Sequence, residues 1–206
     1  MKILFDGPKN SPLLIVLTHG AATPMDTPFM NFFALGLAKH GLRVARFEFP
    51  YMAKQRISGN KTPPNSTSIL LETWHEILSK LRSKSLIIGG KSMGGRIASM
   101  IADESGVSGL VCLGYPFHPP GKPEKVRIKH LANLDTPALF LQGDRDPLGN
   151  KIEVADYPIS PNIHLHWLPD GDHSFKPRKK SGFTEQQNWY NALKTIILFT
   201  DRPELK

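Results

Sequence analysis

Ser92 stands between glycines in Gly90-Lys91-Ser92-Met93-Gly94, a G-x-S-x-G spacing. A β-branched apolar run, Ser85 to Ile88, precedes it, and a stretch rich in alanine and long apolar side chains follows it. Strand, sharp turn and helix in that order make a nucleophile elbow: the glycines leave room for a turn that lifts the serine hydroxyl above a sheet. The helix start beneath offers free backbone N–H groups and a positive dipole end where an oxyanion would form. A glycine-rich turn of this kind can instead cradle a phosphate, but no glycine stands five residues before Gly90-Lys91-Ser92, as a P-loop requires. The chemistry indicated is nucleophilic attack by Ser92. Its neighbour Lys91 reads as solvent-facing, and Arg96 as an ion-pairing helix residue.

A serine hydroxyl is a weak nucleophile near neutral pH and needs a histidine to take its proton and an acid to orient that histidine. When the serine sits on such an elbow, the partners follow in the order acid, histidine, on loops after later strands. Of eight histidines, His173 in Pro169-Asp-Gly-Asp-His173 follows the last expected strand and precedes the last helix. His164 and His166 lie inside that strand, and His40 and His75 on helices; all four read as packing or surface residues, and His19 as support for its loop. For the acid, Gly143-Asp-Arg-Asp146 follows a buried strand, and Asp146 is far enough past the strand end to reach the histidine loop. Asp144 is the second choice. Asp170 and Asp172 read as turn-capping residues beside Gly171.

The loop after the first buried strand reads Thr18-His-Gly-Ala21. Its glycine lets the backbone turn toward the serine, so the N–H groups of Ala21 and Met93 are the expected oxyanion donors. Tyr115, Phe117 and His118 follow the fourth strand and are expected to wall a substrate pocket. The basic run Lys176, Arg178, Lys179 and Lys180 begins three residues after His173; near the pocket rim it would favour an anionic ester.

These residues need a scaffold of alternating strands and helices, and short apolar runs alternating with helix-length periodic stretches supply one. Strands are expected at Leu13 to Leu17, Leu42 to Phe47, Ser85 to Ile88, Gly109 to Leu113, Ala138 to Leu141 and Ile163 to Leu168, with a further edge strand at Met1 to Phe5. Asp26 or Thr27 can cap a helix that begins near Pro28 and ends at Gly41. Ile69, Leu70, Trp74, Ile77, Leu78 and Leu81 share one face of a second helix, Ser68 to Leu81. Thr184 with Gln187 resembles a capping box opening a carboxy-terminal helix. Val126 to Leu134 offers a short helix inside the proline- and charge-rich stretch Gly114 to Thr136.

The 206 residues, 40% apolar and 21% charged, suit one domain spanning 1–206. The single cysteine, Cys112, lies in an apolar run, which excludes an internal disulfide and suits a reducing compartment. No signal-peptide core or membrane-length apolar run is present, so a cytoplasmic location is expected. The formal charge of +8 raises affinity for anions in general, but no zinc finger, RNA-recognition signature or basic helix accompanies it. Neither a nucleic-acid nor a membrane partner is expected.

Taken together, His19-Gly20-Ala21, Gly90-Lys-Ser-Met-Gly-Gly95, Gly143-Asp-Arg-Asp146 and Asp170-Gly-Asp-His173 resemble small bacterial α/β-hydrolases of the dienelactone-hydrolase-like group, over nearly the whole chain. The resemblance implies a three-layer α/β/α sandwich with a mostly parallel sheet. It also implies hydrolysis of an ester or thioester through an acyl-enzyme, with no cofactor and no metal, by Ser92, Asp146 and His173. Dienelactone hydrolase itself uses cysteine where this chain has Ser92, so its lactone substrate does not carry over. The start of the chain is short for the fold's first hairpin, and no lid domain of useful size fits between Gly114 and Thr136, which makes this a trimmed α/β-hydrolase fold. The competing expectation is a noncatalytic binding or scaffold protein that keeps the fold.

Overall fold

The computed structural model describes residues 2–81 and 83–205. Seven strands form one sheet: β1 Ile3–Asp6, β2 Leu13–Thr18, β3 Arg43–Phe47, β4 Ser85–Lys91, β5 Gly109–Leu113, β6 Ala138–Gly143 and β7 Ile163–Leu168, in the spatial order β1-β3-β2-β4-β5-β6-β7. All pairings are parallel except β1 with β3. The expected edge strand is thus present from Ile3 onward, and Met1 lies outside the described residues.

The central strands are apolar on both faces because both faces are covered. In β2, Leu14 and Val16 join a core cluster with Phe47, Trp74, Ile97 and Ile101, while Leu13, Ile15 and Leu17 join an opposite cluster with Phe33, Leu37, Leu193 and Phe199. The first face is covered by α3 Thr67–Lys80 and α4 Met93–Ile101, the second by α1 Pro28–Lys39 and α6 Glu185–Thr200. This is the expected α/β/α sandwich.

The caps agree with their sequence signals. Thr27 accepts a hydrogen bond from Met30 N at the start of α1, and Thr184 and Gln187 close a reciprocal capping box on α6. Two helices go beyond the sequence reading, α2 Pro50–Ser58 and α5 Lys151–Val154. Only Tyr51 and Met52 of α2 are buried, so it has no periodic stripe to detect. The short helix expected over Val126 to Leu134 shrinks to a single 3₁₀ turn, Leu131–Asn133. No helix among the described residues is long and apolar enough to cross a membrane.

Candidate active site

Between β4 and α4 the chain turns at Ser92, whose φ of 51° and ψ of −117° put a non-glycine residue in a left-handed, strained region. Gly94 makes the turn possible: a Cβ there would lie 2.6 Å from the carbonyl oxygen of His19 and 2.8 Å from that of Thr18. The elbow therefore packs directly on the loop that leaves β2. Met93 is the first residue of α4, so its N–H lacks an intrahelical acceptor.

Ser92 Oγ lies 2.7 Å from His173 Nε2, and His173 Nδ1 lies 2.7 Å from Asp146 Oδ2. With Nδ1–H donating to the carboxylate, Nε2 is left to accept from the serine hydroxyl. This is the arrangement that raises a serine's nucleophilicity. Asp146 is fully buried, and its other oxygen accepts from Leu148 N at 2.8 Å. Asp144 instead has a buried Oδ1 without a hydrogen-bond partner.

Three supports escaped the sequence reading. Gln142, the polar residue near the end of β6, donates to Asp146 Oδ2 at 2.9 Å, to Tyr115 O at 3.1 Å and to Gly149 O at 3.0 Å. It thereby fixes the acid. The Tyr51 hydroxyl donates to Ala21 O at 2.9 Å and steadies the loop after β2. In that loop His19 uses both ring nitrogens structurally, Nδ1–H on Gly20 O at 2.7 Å and Nε2 accepting from Phe49 N at 3.1 Å. The third support is Lys91, which is not solvent-facing: it is buried, and its Nζ donates to the carbonyl oxygen of His173.

Other expectations need correction as well. Tyr115 and Phe117 are fully buried in the core beside Phe140, Tyr115 stacked on its ring and Phe117 tilted to it, and the Tyr115 hydroxyl donates to Arg127 O at 2.9 Å. They are core residues, not pocket walls. His118 is 2% exposed, with Nδ1 2.9 Å from Pro119 O and Nε2 3.4 Å from Glu153. An aromatic run just after a buried strand continues the core here because the following segment folds back over it. Arg96 points its guanidinium at Met100 Sδ, 3.6 Å away, rather than at a carboxylate. Arg178 pairs with Asp170, holding that carboxyl down at about 2, and is not a free cation at the rim. Asp172 caps its turn as expected, accepting from Ser174 N at 2.8 Å and Lys176 N at 3.0 Å.

A cleft of about 280 Å³ is lined by Phe29, Met30, Lys91, Ser174, Glu185 and Trp189, among others. Neither Ser92 nor His173 is in this lining, but their chain neighbours Lys91 and Ser174 are.

Burial pushes the His173 imidazole below its ordinary value, the nearby Lys91 charge adds to the effect, and Asp146 opposes it. The neutral, proton-accepting form therefore persists below pH 6.5. The midpoint of His173 titration, followed by NMR of the ring carbons, is expected below 6.5, and the acid limb of any His173-dependent activity should sit there too.

The α/β hydrolase domain model matches residues 11–201. Among solved structures, an α/β serine hydrolase without a lid from Xanthomonas campestris superposes with a TM-score of 0.71 at 16% identity, covering 97% of this chain and 89% of that one. A dienelactone hydrolase from Anabaena variabilis gives 0.70 at 16% identity, covering 95% and 90%. Est1E from Butyrivibrio proteoclasticus with ferulic acid bound gives 0.66 at 15% identity, covering 98% and 96%. At such identities the structural likeness speaks to fold, and the matched domain spans nearly the whole chain: the protein belongs to the α/β hydrolase domain family.

Proposed function

We propose that this protein is a serine hydrolase cleaving a carboxylic ester or thioester of a small molecule through an acyl-enzyme. The observation that carries the reading is the continuous chain Ser92 Oγ, His173 and buried Asp146, linked by contacts of 2.7 Å. In the first step His173 Nε2 takes the Ser92 proton as Oγ attacks the carbonyl carbon. The N–H groups of Ala21 and Met93 receive the oxyanion, a pair of contacts of which each is worth about 3 kcal/mol in the transition state. The imidazolium then protonates the leaving alcohol or thiol. Water, activated by the same imidazole, releases the acid and restores Ser92.

The cleft supports a neutral aryl or short aliphatic group as the part of the substrate beside the carbonyl. Phe29 and Trp189, packed edge to face at a centroid separation of 5.3 Å, supply apolar lining, and Glu185 sets a negative charge there opposite that of the buried Lys91. The anionic ester expected from the basic run finds Arg178 already paired. Steady-state assays with 4-carboxyphenyl acetate and phenyl acetate, whose leaving phenols are of similar acidity because a para carboxylate withdraws little charge, test both points. The neutral ester should show the higher kcat/KM by several-fold at low salt, and Glu185→Gln should narrow the gap. Equal rates for the two esters would remove the charge assignment, and no turnover of any ester or thioester would remove the function.

A further inference from the structure

Lys91 immediately precedes Ser92, yet its ammonium is turned away from solvent onto the carbonyl oxygen of His173. Gly114 is the floor that admits it: a Cβ there would lie 2.7 Å from that oxygen, 3.0 Å from Lys91 Nζ and 3.5 Å from His173 Cε1. Nζ and the imidazole carbon are thus separated by no more than the sum of the last two distances. At that range a like charge shifts a titration. The Phe29 ring of α1 sits 5.5 Å from Nζ. The charged groups facing Lys91 are Asp146 from the loop after β6, Asp172 and His173 from the loop after β7, and Glu185 of α6 across the cleft.

A buried ammonium is costly to desolvate, and burial pushes this one down to about 8. It is therefore still mostly charged at neutral pH. Its acceptor is a neutral carbonyl, which returns less than a carboxylate would. A lysine kept at such a cost needs a use for its charge.

We propose that Lys91 is a positioning residue, whose ammonium ties down the His173 backbone and whose charge keeps the adjacent imidazole neutral and able to accept a proton. The tether fixes Nε2 against Ser92. The charge opposes imidazole protonation and so extends the proton-accepting form to lower pH. The catalytic consequence rests on the serine-hydrolase reading; the effect on imidazole titration does not.

The test is an NMR titration of His173, assigned with His173→Gln, in the full chain and in Lys91→Met, Lys91→Gln and Lys91→Arg, each checked for folding by circular dichroism. Met and Gln remove the charge and should move the His173 midpoint upward by on the order of one pH unit, while Arg should leave it near the parent value. In kinetics, the acid limb of kcat/KM should move with the NMR midpoint. At pH 8, where the imidazole is neutral in every variant, Lys91→Met should still lose kcat about tenfold through misplacement of Nε2, with KM nearly unchanged and kcat restored by Arg. Parent-like midpoints in both neutral variants overturn the electrostatic role, and an unchanged kcat at pH 8 overturns the tether. If the parent protein turns over no ester, the serine-hydrolase reading fails, whereas the NMR result still decides the role of Lys91.

Discussion

Ser92→Ala is expected to lower ester turnover by about 10⁴- to 10⁶-fold, the range that loss of an activated serine produces. The residual rate would come from binding and the oxyanion donors alone. The change removes one oxygen from a residue whose backbone is held by neighbours: Ser92 N donates to Leu113 O at 3.0 Å, and Ser92 O accepts from Arg96 N at 3.0 Å. Thermal melting should therefore shift little. Stopped assays with phenyl acetate, run beside a melt of the same preparation, separate lost chemistry from lost structure.

Asp146→Asn should cost about 10⁴-fold in kcat, because an amide can present its NH₂ to His173 Nδ1 and select the tautomer whose Nε2 bears the proton and cannot accept another. The Gln142 amide, which donates to the same oxygen, would then face a donor as well. Asp144→Asn touches neither His173 nor Gln142 and should stay within a few-fold of the parent. Equal losses for the two aspartates, or a larger one for Asp144, would move the acid role away from Asp146.

The sequence was legible where one residue type carries a local physical demand. Thr27 before Pro28 and the Thr184/Gln187 pair mark helix starts because orphan N–H groups need acceptors there. The apolar runs mark the six strands from β2 to β7 because both sheet faces are covered. The same double burial hides side-chain direction. At Lys91 no alternation of polar and apolar residues says which way the lysine points, and its charge suggested solvent when in fact it turns under His173. Tyr115 to His118 misled for a related reason: their type suits a pocket wall as well as a core, and only the fold of 119–136 over them decides between the two. Gln142 had a readable signal, a lone amide in an apolar strand one residue before Gly143. α2 offered none, since its exposed face extends over most of its length.

The most direct measurement is reaction with a fluorophosphonate probe, followed by mass spectrometry of the labelled peptide. An activated serine reacts; a fold retained only for binding leaves its serine inert. One adduct per chain, located on Ser92 and absent from Ser92→Ala and His173→Gln, is the result expected here. No adduct on the folded protein, or an adduct on another residue with Ser92 unmodified, would contradict the assignment of Ser92, His173 and Asp146 as a catalytic unit.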